Sequence, residues 1–203
     1  MNEATITPKK SMSWQLWGIL LVTLVPIIAA YVAYYTGVGV PEEHVNEGQL
    51  LNPAKDVKIL LENAEGEKPD FVDNYQWRLL IPITAQCDAN CQQNLYVTRQ
   101  VHIRLGDKAD RLQRFAVNLD GDQGEQFLQS IASEHPRLKH FTVTSDAWNQ
   151  WLQGSNLSAD PAREPYYILV DQVGFAMMFY DVQNDGNQLL KDIKRVLRYS
   201  PAE

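Results

Sequence analysis

Cys87 and Cys91 are the only two cysteines among 203 residues, and three residues separate them in Cys87-Asp88-Ala89-Asn90-Cys91. Two thiols at this spacing suit reversible disulfide chemistry or a soft-metal site, because the thiolate is both the nucleophile and the ligand. The pair follows Trp77-Arg78-Leu79-Leu80-Ile81-Pro82-Ile83, which reads as a buried strand, and precedes a polar, helix-permissive stretch. Such a junction sets one sulfur near the positive end of a helix, which favours thiolate. Asp88, beside the first sulfur, opposes it. Residues i and i+4 of a helix lie ~6 Å apart, which a disulfide bridges with modest adjustment. A loop this short gains little as a structural staple. Cys87 and Cys91 are therefore the candidate catalytic residues and the candidate metal ligands, with a small structural disulfide as the alternative.

These residues need a frame. Residues 90–105 carry Val97, Val101 and Leu105 at helical spacing. Phe115 to Leu119 reads as a strand ending in the turn Asp120-Gly121-Asp122, and Gly124 to Glu134 as a helix. His140 to Thr144 reads as a strand, followed by a short helix capped by Asp146 and carrying Trp148, Trp151 and Leu152. Tyr166 to Val170 and Phe175 to Tyr180 form a hairpin around Asp171-Gln172-Val173-Gly174. A last amphipathic helix runs from about Asp185 to Tyr199. Val57 to Leu61 reads as a short strand. The order implies an α/β fold with a mixed sheet, parallel crossovers first and an antiparallel hairpin after.

Ahead of this domain, Trp14 to Tyr35 contains no Asp, Glu, Lys or Arg. At ~1.5 Å per residue such a helix spans roughly 30 Å, the thickness of a bilayer core. Trp14 and Trp17 mark one end and Tyr31, Tyr34 and Tyr35 the other, as interfacial aromatics do. The run is longer than a secretory signal, and its Tyr-rich end is a poor cleavage site. The expected organisation is a cytoplasmic N-terminus over 1–13, a transmembrane helix over 14–35, a linker over 36–50 and a folded domain over 51–203. Lys9 and Lys10 precede the helix and Glu42, Glu43 and Glu47 follow it, so the N-terminus is expected inside and the domain outside. In a bacterium this is the inner membrane and the periplasm, where a cysteine pair can oxidise. The formal charge of −7 argues against nucleic-acid binding. Membrane lipid, met through the helix, is the expected non-protein partner.

The element order and the cysteine pair resemble a thioredoxin fold, and two of its branches match different segments. Cys87-x-x-x-Cys91 and Asn46-Glu47-Gly48-Gln49-Leu50 resemble the SCO copper chaperones of cytochrome c oxidase assembly. Pro165-Tyr166-Tyr167-Ile168-Leu169-Val170-Asp171-Gln172-Val173-Gly174 resembles the TlpA-type membrane-anchored thiol oxidoreductases, in which a cis-proline precedes the strand. The SCO resemblance implies copper as a cofactor, and as partner the copper-binding subunit of cytochrome c oxidase. Its third ligand is a histidine, and Arg163 and Glu164 occupy the nearest positions here; Gln92 replaces the proline after the second cysteine. Met177 or Met178 is the available substitute for Cu(I). The TlpA resemblance implies exchange with periplasmic protein thiols, Cys87 attacking and Cys91 resolving. In that reading Pro165 is a cis-proline shaping the substrate groove; the plainer reading is a strand-edge proline.

The remaining residues carry weaker signals. His44, His102, His135 and His140 match no ligand pattern and read as surface or partly buried side chains. Trp148 and Trp151 read as a core or docking face. A third functional class stays open, a scaffold whose thioredoxin fold serves only for docking.

Overall fold

The computed structural model describes residues 14–36, 45–72 and 74–201. Lys9, Lys10, Glu42, Glu43 and His44, with most of the stretch read as linker, lie outside them. The chain divides into two units between His44 and Val45.

The first unit holds helix α1 (Trp14–Thr36), which runs on through Pro26. It is long and apolar enough to cross a bilayer. The Thr23 hydroxyl, mid-helix, donates back to the Ile19 carbonyl at 3.0 Å, which satisfies it without water.

The second unit contains β1 (Gln49–Asp56), α2 (Val57–Leu61), β2 (Glu65–Gly66), β3 (Trp77–Ile83) and α3 (Ala89–Arg104). A short 3-10 turn over Gly106–Arg111 leads to β4 (Leu112–Asn118), α4 (Gly121–Ile131), β5 (Leu138–Thr142) and α5 (Ser145–Leu152). The hairpin β6 (Tyr167–Val170) and β7 (Phe175–Tyr180) precedes α6 (Gly186–Tyr199). The sheet order is β1-β7-β6-β3-β4-β5-β2. Strands β3, β4 and β5 are parallel, and β6 lies antiparallel to both β3 and β7. This is the mixed α/β sheet expected from the element order, with parallel crossovers first and an antiparallel hairpin after.

β3 sits mid-sheet and is buried along its whole length, which explains its apolar run from Leu79 to Ile83. Its side chains alternate between two cores. Leu79, Ile81 and Ile83 join Leu95 of α3, Leu128 of α4 and Ile193 of α6 on one face. Leu80 joins Leu60 of α2 and Trp148 of α5 on the other. The tryptophans are core residues: the Trp148 indole donates to the Tyr166 hydroxyl at 2.8 Å, and the Trp151 indole to the Asp56 carbonyl at 2.8 Å.

Three local expectations change. Val57 to Leu61 is helix, not strand: the Asp56 carboxylate accepts from the Lys58 amide and caps it, and Val57, Leu60 and Leu61 bury one helical stripe. The cap of α5 is Thr144, whose hydroxyl accepts from the Ala147 amide; Asp146 stands in the first turn, where its charge suits the helix dipole. Residues 45–50, read as linker, belong to the folded unit. The buried Asp192 carboxylate of α6 accepts from the Glu47 and Gly48 amides at 2.8 and 3.0 Å and from the Tyr180 hydroxyl at 3.1 Å. Lys191 pairs with Glu47, and Arg195 donates to the Val45 carbonyl. Gly48 is required here, since a Cβ would lie 2.5 Å from the Tyr180 ring.

Candidate functional site: a disulfide at the first turn of α3

Cys87 and Cys91 form a disulfide, with Cα atoms 5.2 Å apart. Cys87 lies in the short loop after β3 and is half-buried; Cys91 sits in the first turn of α3 and is only 4% exposed. The Asp120 carboxylate holds this loop by accepting from the Ala85 amide at 2.7 Å. Cys87 is the more exposed residue of the pair.

Between them Asp88 is the N-cap of α3, accepting from the Cys91 amide at 2.9 Å. A carboxylate thus takes the donor and the dipole end that would otherwise stabilise a thiolate. Gln92 donates to the Cys87 carbonyl at 3.2 Å.

Pro165 is buried just before β6 and lines a cavity of about 490 Å³ with Gln49, Asn90, Arg163, Glu164 and Val182. Asn90, between the two cysteines in sequence, is the lining residue that α3 contributes. The expected cis bond is not there: the peptide before Pro165 is trans, and the cis peptide among the described residues is Asn52–Pro53. The edge-strand reading also changes, because β6 runs between β7 and β3. A proline preceding the first residue of a central strand removes no ladder bond. Beyond it, burial raises the phenols of Tyr166 and Tyr167 above their ordinary range, so both are neutral.

The described residues do not assemble a copper site of three ligands. Among the described residues no group of three or more His, Cys, Asp or Glu is placed to hold a metal. His140 on β5 pairs with Glu125 at 3.1 Å. His102 is buried on α3, and His135 follows α4. Met178 aligns with Leu169, which aligns with Leu79 of β3, four residues short of Ile83. At ~3.3 Å per residue, that is about 13 Å down the sheet from the strand end that carries the cysteines. His44 lies outside the described residues.

Sequence reading missed a cationic group on the α3 side of the sheet. Arg114 of β4 is 2% exposed and donates to the Leu95 carbonyl and the Thr98 hydroxyl of α3 at 3.0 and 3.2 Å. Burial, then the nearby Arg99, lowers its pKa to about 10. Burial, then Arg114 and Arg99, also holds His135 below the ordinary imidazole range.

Residues 77–200 match the family described as transmembrane-like, thioredoxin-like, C-terminal domain. The chain belongs to this transmembrane-like, thioredoxin-like family. Family membership covers β3 to α6 and so includes the disulfide and Pro165. No curated protein matches the chain. Among solved structures, copper-bound yeast Sco1 is similar at 16% identity over 80% of this chain and 99% of that one, with a TM-score of 0.51. BsSco, a member of the Sco family of cytochrome c oxidase assembly proteins, is similar at 13% identity over 78% and 98%, with a TM-score of 0.51. A thiol:disulfide interchange protein from Bacteroides sp. is similar at 16% identity over 77% and 91%, with a TM-score of 0.48. The likeness to the Sco proteins is one of fold, and the family shown is the transmembrane-like, thioredoxin-like one.

Proposed function

We propose that this member of the transmembrane-like, thioredoxin-like family is a membrane-tethered reductant of protein disulfides, its folded domain facing the periplasm from a bacterial inner membrane. The observation that carries the reading is the Asp88 cap. A carboxylate at the first turn of α3 disfavours the thiolates of the reduced pair relative to the disulfide. A dithiol that is a poor thiolate and a stable disulfide gives its electrons up readily. In the forward direction the Cys87 thiolate attacks one sulfur of a substrate disulfide and the other leaves as a thiolate. Cys91, deprotonated, then attacks Cys87 in the mixed disulfide, releasing the substrate's second thiolate. The substrate gains two electrons and the pair becomes the disulfide seen here. A dithiol donor returns it to the reduced state. Pro165 and the cavity it lines receive the substrate backbone beside Cys87.

A second reading keeps this chemistry and names the substrate as the copper-binding subunit of cytochrome c oxidase. The three-residue spacing of Cys87 and Cys91 favours it, together with the disulfide switch named for BsSco. It requires no copper on this chain.

The test is the equilibrium of the full chain, in detergent micelles, against defined mixtures of reduced and oxidised dithiothreitol. The expected potential lies nearer thioredoxin's value of about −270 mV than the value of about −180 mV typical of an isomerase. The reduced protein is expected to reduce insulin disulfides, and Cys87→Ser to abolish this. A potential above about −180 mV would overturn the reductant assignment.

A further inference from the structure

The groove between α3 and α4 has a volume of about 600 Å³, and one end lies at the first turn of α3, the turn that carries Cys91. Ala89 and Gln92 line its near end, and Gln92 is bonded to the Cys87 carbonyl. Leu95, Phe127 and Ile131 give it apolar walls, and Arg99 and His135 stand at the far end. His135 is 8% exposed, and its Nδ1 is buried with no hydrogen-bond partner. Arg99 makes no ion pair or hydrogen bond among the described residues, and the partners of Arg114 behind the groove are neutral oxygens. Glu134 at the rim is the one acid lining the groove. In a chain of net charge −7, Arg99 stands against Glu134 in the lining, and the buried Arg114 guanidinium behind it tips the local balance to positive.

We propose that this groove takes an acidic segment of the protein whose disulfide is exchanged, an Asp or Glu carboxylate pairing with Arg99 at the end of the groove where His135 also lies. The inference rests on the thiol-exchange reading for the identity of the partner. Charge complementarity fixes the sign of the occupant. The apolar walls favour a peptide carrying aliphatic side chains over a free ion. Ten residues of α3 separate Ala89 from Arg99, about 15 Å along the helix. An extended peptide covers that length in about four or five residues. The acid therefore stands about four or five residues from the substrate cysteine.

The experiment titrates the full chain in neutral detergent with a ten-residue peptide in which serine replaces the reactive cysteine. Aspartates stand four and five residues after the serine, with leucine between the serine and the aspartates. The expected result at low salt is at least tenfold tighter binding than the same peptide with asparagines. Arg99→Gln should remove at least fivefold of that preference without altering the asparagine peptide. Glu134→Gln should strengthen it about twofold. Equal binding of the two peptides, or a preference that survives Arg99→Gln, overturns the proposal. Inorganic phosphate displacing the peptide at comparable concentration also overturns it, since the site would then read charge alone. Because the peptide has no thiol, the arms separate. Selective binding without insulin reduction keeps the groove and removes the exchange chemistry, and insulin reduction without aspartate selectivity does the reverse.

Discussion

Arg78 and Arg114 stand on neighbouring parallel strands, each almost fully buried, and they do opposite things with the same charge. Arg78 lies at the end of β3 away from the cysteines, where its guanidinium stacks 4.4 Å from the Phe71 ring. Its Nη atoms donate to the carbonyls of Asp70, Gln76, Asp171 and Gln172, tying the loop before β3 to the β6–β7 turn. Burial lowers its pKa to about 10 against the pull of Asp70 and Asp171. Arg114 also falls to about 10, but its charged neighbour is Arg99, a cation. One charge is surrounded by oxygens that need it. The other is held where a negative group is missing. A buried arginine is thus informative only through its partners: the first organises loops, and the second leaves its field for something outside the chain.

The comparison breaks most visibly by the same substitution at both positions. Arg78→Met strands four backbone carbonyls and is expected to lower the unfolding free energy by about 3 kcal/mol or more, measured by urea unfolding. Arg114→Met is expected to stay within about 1 kcal/mol of wild type, because an apolar side chain of similar volume replaces an unneutralised charge. Its partners lose little: the Thr98 hydroxyl still donates to the Asn94 carbonyl at 2.8 Å and to the Leu95 carbonyl at 3.1 Å. Equal losses at the two sites would erase the distinction.

The same question of which charge has which partner can be asked at the disulfide. Asp88→Asn keeps a capping oxygen and removes the negative charge from the first turn of α3. Relief of about 0.5–1 kcal/mol at a helix terminus corresponds to a rise of about 10–20 mV in reduction potential. An unchanged potential would mean that the carboxylate does not oppose the thiolate.

The smallest expected effect is on pH dependence. His135 titrates below its ordinary range in the folded protein, so the unfolded chain binds a proton that the folded chain refuses. Stability is then complete above about pH 6.5 and declines as the pH falls below it. His102, shifted the same way, first by burial and then by Arg114, adds to the decline. Urea unfolding at pH 7.5 and 5.5 should show this loss, reduced in His135→Gln. Arg114→Met should also reduce it, by returning both imidazoles toward their ordinary values. A loss that Arg114→Met leaves unchanged would separate the imidazoles from the arginine.

Much of the frame was legible because period and length speak for themselves. The buried run of β3, the helical spacing of α3 and the strong stripe of α6 leave little choice. Val57-Lys58-Ile59-Leu60-Leu61 misled because β-branched residues in so short a run fit a strand equally well, and the deciding feature is the Asp56 carboxylate one residue earlier. β1 was hidden because it is an edge strand, with Pro53 and polar residues along it and a register irregularity between Leu50 and Lys55. At the site, the cysteine pair announced itself by composition. Pro165 was placed by its neighbours, but its isomer is decided by packing. Arg99, Arg114 and His135 come from a helix, a strand and a loop, and no local pattern joins them. Arg114 also stands outside the strand expected over Phe115 to Leu119, since β4 begins at Leu112.

The contacts of residues 45–48 have a mechanical side. Among the described residues, the N-terminal edge of the folded unit is attached to α6 and the segment leading into it: Val45 to Arg195, Glu47 to Lys191 and Asn184, and the Glu47 and Gly48 amides to Asp192. A pull on the chain from its N-terminal side is therefore borne by the last helix before it reaches β1. The edge strand is shielded from being peeled off its neighbour one rung at a time. Asp192 grips two successive amides of that segment and is itself steadied by the Tyr180 hydroxyl.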